Sequence, residues 1–155
     1  MSLPELLIAV AIVGVFTSLS FNASGTALAE QKVLTAVRQL ELGIQQARDQ
    51  AMRQKAPCAL ALGHDGWHDP EQTNIPTCDQ AVGPLLAGDR VTGLQLSHNI
   101  NRLQFTSNGL VLGGGTVVLA LNGLAHQRCV VISLPLGIVR RGYWQDGRCL
   151  PMKRH

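Results

Sequence analysis

The sequence has no charged residue from Leu6 to Ala29, and Glu5 is the single charge among its first 29 residues. A helix over this uncharged stretch would be about 36 Å long, enough for the ~30 Å hydrocarbon core of a bilayer. The stretch also lacks the basic start and the small-residue cleavage site of a secretory signal peptide. We therefore expect residues 1–27 to form a retained membrane anchor and residues 28–155 to form one globular domain outside the membrane.

The four cysteines lack any Cys-x-x-Cys spacing, so a zinc site is not predicted. An even number of cysteines in a domain outside the cytoplasm favours disulfides over free thiols. Four cysteines allow three pairings. We favour the symmetric one, Cys58–Cys78 with Cys129–Cys149, which leaves the other two pairings as alternatives. Each disulfide would stabilise the fold by about 3 kcal/mol through loop closure.

The sequence also lacks a recognisable catalytic arrangement. Residues 64–69 (HDGWHD) include metal-capable side chains, but Asp65-Gly66 is a turn signal and no third ligand is fixed by spacing. The run Gly113-Gly114-Gly115 lacks the Lys-Ser/Thr ending of a phosphate-binding loop. No Ser or Cys has a base partner in a known motif. We predict a protein that is not an enzyme and that needs neither metal nor cofactor.

Lys and Arg are absent from residues 56–89, which hold five acids, whereas residues 126–155 hold six Lys and Arg against one acid. A basic end indicates either an anionic partner or an ordinary solvated surface. Lys and Arg neutralise phosphates without reading sequence, and neighbouring rings can stack on bases. Tyr143 and Trp144 supply such rings, unless they are core residues. The DNA-binding hypothesis therefore rests on Arg140, Arg141, Arg148, Lys153 and Arg154. Since successive residues of a strand point to opposite faces, the first two cannot join one flat patch.

A second helical pattern follows the uncharged stretch. Six apolar residues recur at alternating spacings of four and three, which is one side of an amphipathic helix. Residues 20–26 are poor helix formers and predict a bend or local unwinding before this pattern. Pro57 ends the pattern, because the residue before proline avoids the α conformation. We predict the second half of one long helix, with its apolar stripe on a sheet. The stripe consists of Val33, Val37, Leu40, Ile44, Ala47 and Ala51.

From Cys58 onward the sequence consists of short apolar runs separated by turns. Asn108-Gly109, Asn122-Gly123 and Asp146-Gly147 are hairpin-turn signals. Residues 64–89 are predicted to be a polar loop. The predicted fold class is α+β, a long N-terminal helix packed on an antiparallel β-domain. The predicted strands cover residues 58–62, 91–97, 102–106, 110–112, 116–121, 128–133, 138–144 and 148–150.

The first ten residues (MSLPELLIAV) resemble the mature N-terminus of the type IV pilin superfamily, which has a hydrophobic first residue, glutamate at position 5 and a long apolar helix. The resemblance implies that Met1 is the N-methylated residue left by a prepilin peptidase acting on the precursor. It also implies that Glu5 pairs with a neighbouring subunit's α-amino group during assembly. A structural alternative is a glutamate stabilised by the helix dipole. Pro4 stands where an aliphatic residue is common, which a first helical turn tolerates.

Later motifs extend the resemblance to the FimT, FimU and GspH branch of that superfamily. Residues 105–109 (FTSNG), 114–116 (GGT), 130–133 (VVIS) and 137–140 (GIVR) follow the order of motifs in these domains. The resemblance implies two antiparallel sheets beside the long helix. In the FimT branch the last glycine is commonly followed by arginine, with another arginine two residues later. Here Ile138 replaces the first arginine and Arg140 keeps the second.

The resemblance implies a minor pilin or pseudopilin. Such a protein is a single-pass inner-membrane protein with a periplasmic domain, and it is then incorporated near the tip of a type IV pilus on the cell surface. Its partners would be other major and minor pilins. The FimT branch adds non-specific DNA binding for uptake. The alternative is a GspH-type minor pseudopilin of a type II secretion system that contacts secreted proteins.

Overall fold

The computed structural model describes residues 3–71, 74–85 and 93–152, and the side chains of Pro4 and of residues from Gly25 onward within those ranges. Within them the chain forms one long helix, α1 (Leu3–Gln54), a short 3₁₀ helix (Asp79–Ala81) and ten strands. The strands are β1 (Cys58–Leu62), β2 (Gly66–His68), β3 (Gly83–Pro84), β4 (Leu94–His98), β5 (Leu103–Phe105), β6 (Val111–Leu112), β7 (Gly115–Leu121), β8 (Gln127–Ser133), β9 (Ile138–Gln145) and β10 (Arg148–Pro151).

The strands form two antiparallel sheets. Their orders are β3-β2-β1-β5-β6 and β10-β9-β8-β7-β4. The second half of α1 packs against both sheets, through β1, β2 and β5 of the first and β7 of the second. The core lies between the helix and the sheets, where Leu60, Phe105 and Leu119 are fully buried. The predicted α+β class, with a long helix on two antiparallel sheets, is confirmed.

The apolar stripe of α1 faces this core. All six of its residues are at most 3% exposed, so the predicted amphipathic half-helix is confirmed. The helix ends at Gln54, shortly before Pro57. It continues without interruption through residues 20–26. The predicted local unwinding is therefore absent, because a few weak helix formers cost less than nucleating a second helix.

The predicted membrane anchor over residues 1–27 stays a prediction. Among the residues that the structure describes, no helix is both long and apolar enough to cross a membrane. Met1 and the side chain of Glu5 lie outside the described part of the chain.

All eight predicted strands are present, with ends that differ by up to three residues, and residues 91–92 of one of them lie outside the described ranges. The prediction of a polar loop over residues 64–89 is wrong where β2 and β3 form. These strands are only three and two residues long. β2 pairs with β1 in a hairpin in which Leu62 lies opposite Trp67, and β3 pairs with β2. So short an element carries no alternating pattern that a sequence could reveal.

Trp67 of β2 is the largest of the fully buried side chains, at 2% exposed. Its indole N–H donates to the Leu40 carbonyl of α1 at 3.3 Å. Gly43, one turn further along α1, lets the helix approach, because a Cβ at that position would overlap the indole ring. A single tryptophan thus fixes β2 of the first sheet to the helix.

Two disulfides are present, Cys58–Cys78 and Cys129–Cys149, which is the symmetric pairing favoured from the sequence. The first ties β1 to the turn before the 3₁₀ helix. The second joins β8 to β10 although β9 lies between them in the sheet. Gly142 of β9 lies opposite Cys129 in the register. A Cβ on Gly142 would overlap the Leu150 carbonyl and lie 3.0 Å from the Cys149 sulfur. The β9–β10 hairpin therefore brings β10 so close to position 142 that only glycine fits there.

Candidate assembly and binding surfaces

Two ion pairs hold the second sheet along α1. Arg128 of β8 pairs with Glu30, and Arg141 of β9 pairs with Glu41. The Arg141 guanidinium donates from both Nε and Nη2 to the two oxygens of Glu41, with the Nε contact at 2.6 Å. Such a two-pronged contact fixes the geometry of both partners. Because Glu30 and Glu41 are about 16 Å apart along the helix axis, the pairs align the sheet with a long section of α1.

Arg128 is 8% exposed and, in the described region, contacts Glu30, Tyr143 and Met152. Arg128 pairs with the Glu30 carboxylate, and its guanidinium carbon also lies 4.1 Å from the centre of the Tyr143 ring. The Tyr143 ring meets His126 edge-on at 6.2 Å between centroids. Nη1 contacts the Met152 sulfur at 3.4 Å. A carboxylate and a ring face together compensate the cost of burying this cation.

The Glu41 hydrogen bonds raise the pKa of Arg141, while burial acts in the opposite direction. A pKa raised in the folded state means that the stabilisation is present at acidic and neutral pH. It is lost only when the pH rises through the folded-state value, which is strongly alkaline for a guanidinium. The arginine therefore stays charged at any physiological pH.

The structure does not gather the predicted DNA-binding residues into one patch. Arg141 faces α1, and its neighbour Arg140 is exposed on the opposite face of β9, as the strand alternation predicted. Arg148 is exposed at the start of β10, opposite Gln145. The span from Arg140 to that end of the hairpin is about 17 Å. Lys153 and Arg154 lie outside the described residues.

Residues 63–65 form the turn between β1 and β2, at the Asp65-Gly66 signal, and the rest of the segment 64–69 is β2 and the residue after it. The Gly63 N–H donates to the Gly66 carbonyl at 2.8 Å. Nε2 of His68 lies 2.6 Å from an Asp65 carboxylate oxygen, and this hydrogen bond lowers the pKa of Asp65. Across the described ranges, no group of three or more His, Cys, Asp or Glu side chains is arranged to hold a metal ion.

An open cleft of about 840 Å³ lies between the loop after β2 and the residues around β5. Asp69, Glu71, Asn99 and Arg102 are among its lining residues. Their charges are mixed in sign and their side chains are exposed. The cleft is therefore a polar surface depression beside the first sheet, without a charge of one sign that would select a ligand.

The family model described as Type II transport protein GspH matches residues 36–135, which is about two thirds of the chain. The chain belongs to the GspH family. The match confirms the resemblance to minor pseudopilins of the type IV pilin superfamily. No curated protein and no solved structure matches the chain.

The GspH match covers a specific part of the fold. It begins at Ala36 in the buried section of α1 and ends at Pro135 in the turn after β8. It therefore includes the helix–sheet core, Trp67 and the first disulfide. The match does not include β9, β10 or the uncharged N-terminal stretch, so Glu5 and the arginines after Pro135 are features of this chain outside the matched segment.

Proposed function

We propose that this protein is a minor pilin or pseudopilin, a structural subunit that is anchored in the inner membrane and then incorporated near the tip of a filament. The GspH match carries the proposal. The way in which α1 is covered supports it. Among the side chains of α1 that the structure describes from Gly25 onward, the first buried one is Val33, whereas the four residues from Gly25 to Leu28 are exposed. From Leu3 to Leu28 the helix extends for about 39 Å.

A helix that continues for many residues before the section covered by the β-domain can pack against other helices. In this proposal the uncharged stretch lies in the bilayer before assembly and among the helices of other major and minor pilins afterwards. Glu5 would be costly in either apolar setting without a partner. The α-amino group of Met1 of a neighbouring subunit, exposed by the prepilin peptidase, supplies the opposite charge.

Glu5→Ala tests this assembly role. We expect the variant to remain in the membrane fraction with both disulfides formed but to fall at least tenfold in sheared filaments, because the carboxylate that pairs with a neighbour is gone. Blotting of sheared filaments against whole-cell levels measures the ratio. Glu71→Ala, which removes an exposed acid of the β-domain, is the matched control. Incorporation of Glu5→Ala at the level of this control would contradict the proposal.

The filament that we propose is a type IV pilus, with a type II secretion pseudopilus as the alternative. The basic C-terminal region and the disulfides favour the pilus. Deletion of the gene distinguishes the two machines, since it lowers the number of pili in the first case and the amount of secreted protein in the second.

We propose weak, non-specific DNA binding as a second function of the same subunit. Among the described residues, Arg140 and Arg148 are exposed and form no ion pair. Their charges are therefore available to phosphates, together with those of Lys153 and Arg154 in the sequence. Arg141 contributes least, because Glu41 already holds it.

A mobility-shift titration of duplex DNA with the full chain at two salt concentrations tests DNA binding. Replacing both exposed arginines, as Arg140→Gln with Arg148→Gln, should reduce the slope of log affinity against log salt by about two phosphate contacts, at about 0.9 each. Arg141→Gln is the control and should leave the slope unchanged. If the wild-type chain fails to shift DNA even at low salt, the basic region is only a solvated surface.

A further inference from the structure

Half-exposed apolar side chains gather at the end of the domain where α1 stops. Six of them, which we call the apolar pole, are each between 38% and 55% exposed. Scattered single apolar residues are normal on a protein surface, but a contiguous group marks an interaction site. The apolar pole consists of Met52, Leu110, Leu112, Leu134, Leu136 and Ile138.

Hydrogen bonds bring these residues together from three separate parts of the chain. Arg48, one turn before Met52 on α1, donates from Nη1 to the Leu136 carbonyl at 3.2 Å. The Val111 N–H of β6 donates to the Pro135 carbonyl at 2.7 Å. The end of α1, the edge strand β6 and the turn between β8 and β9 therefore form one surface. These two hydrogen bonds hold the backbone of the turn in place, and a preorganised surface favours tight docking.

Positive charge borders the apolar pole. Arg140 lies two residues after Ile138, on the same face of β9. Asp49, one turn before Met52, is the acid closest along the chain to any of the six. The bordering cations are Arg48, Lys55 and Arg140. Two copies of this chain docked pole to pole would bring these cations face to face, which opposes self-association and favours a partner with acids at the matching positions.

The position of the apolar pole indicates where the partner lies. Met52 is about 36 Å along α1 from Leu28, where the exposed section of the helix ends. The apolar pole is thus at the opposite end of the domain from the half of α1 that we assign to the membrane and the filament core. A bilayer that holds residues 1–27 cannot reach it. A protein that stacks beyond the domain along the filament axis can.

We propose that the apolar pole docks a different pilin-like subunit of the same filament, through an apolar surface edged by carboxylates. This inference rests on the proposed function. To that function it adds the place of the contact, at the end of the domain where α1 stops, and the chemistry of the partner surface, which is apolar with carboxylates at its edge.

A photo-reactive benzophenone side chain at position 136 of the full-length chain, expressed in its own cells, tests the proposal. Leu136 is 49% exposed, and Val82, at 43% exposed in a surface depression that Trp67 also lines, is the matched control position. We expect position 136 to cross-link to one other pilin-like subunit, at a segment that carries Asp or Glu, at least tenfold above position 82. A cross-link to another copy of this chain or to lipid would overturn the proposal. So would a yield at position 136 no higher than at the control position.

Charge substitution gives a second, independent measurement. Leu134→Asp with Leu136→Asp should lower both incorporation and cross-linking from a neighbouring benzophenone at position 138 by at least tenfold, whereas Val82→Asp should lower neither. Formation of both disulfides checks that the variant folds. If the wild-type chain is absent from filaments, the proposed function itself fails. If the wild-type chain is present and the double variant behaves as Val82→Asp, only the apolar pole is wrongly assigned.

Discussion

Gly142→Ala is expected to lower the free energy of unfolding by about 3 kcal/mol or more, the upper range for an added methyl group in a packed site. The new Cβ would overlap the Leu150 carbonyl, which is backbone and cannot turn away as a side chain does. The Cys149 sulfur, 3.0 Å from the same point, is tied to Cys129. The hairpin can relieve the overlap only by moving β10 away, which strains or prevents the second disulfide. Where that disulfide does not form, the free energy of unfolding falls by a further amount of about 2–5 kcal/mol.

Urea unfolding of the purified full chain, followed by circular dichroism, measures this loss. Gly83→Ala is the matched control, because no atom lies within 4 Å of the added Cβ there, and its effect should stay within about 0.5 kcal/mol. Peptide mapping without reduction should recover Cys58–Cys78 in both variants and less Cys129–Cys149 in Gly142→Ala. A Gly142→Ala protein with wild-type stability and both disulfides would contradict the crossing of β9.

Trp67→Ala is expected to destabilise the fold by about 3–5 kcal/mol, the range for removing a large buried aromatic side chain. The substitution opens a cavity between β2 and α1 and removes the hydrogen bond to the Leu40 carbonyl. The same urea unfolding, with no reliance on tryptophan fluorescence, gives the value. A loss below about 1 kcal/mol would mean that the indole is not a core side chain.

The contact between Gly43 and Trp67 can be tested by combining substitutions at the two positions. In the wild-type background Gly43→Ala should destabilise by about 1–3 kcal/mol, because the methyl group overlaps the indole. In the Trp67→Ala background the overlap is gone, and alanine should instead stabilise the helix by up to about 1 kcal/mol. Gln45→Ala, at an exposed position of α1, is the control for helix propensity. Equal effects of Gly43→Ala in both backgrounds would exclude the contact.

The parts of this fold that the sequence predicted are those with a local signal. The stripe of α1 repeats at the helical period over residues 33–51, and the strands from Cys58 onward alternate or are bounded by turn dipeptides. Each of these patterns reports burial through neighbours that are close in the chain. Even the two disulfides were favoured by a simple spacing of 20 residues.

The parts that the sequence did not predict depend on residues far apart in the chain. Arg128 and Glu30 are 98 positions apart, and Arg141 and Glu41 are 100 positions apart. Nothing in either neighbourhood indicates the other partner, so the sequence predicts Arg141 as a DNA contact, whereas the fold uses it to hold α1. Gly142 likewise looks like any strand glycine until β10 is seen to lie against it. The one usable signal was the glycine itself, since an interior strand glycine marks a close backbone approach.

Because α1 is continuous, the direction in which the β-domain faces around the helix axis depends on the number of residues in the first half of the helix. Because the buried stripe and the Glu30 and Glu41 ion pairs fix the β-domain to the helix, the domain turns whenever the helix turns. Each residue of an α-helix contributes about 100° of rotation and 1.5 Å of rise. One residue removed between Leu3 and Leu28 would swing the β-domain by about 100° around the axis, whereas seven would return it to within about 20° and draw it in by about 10 Å. The number of residues before Val33 therefore determines which side the domain turns towards its neighbours.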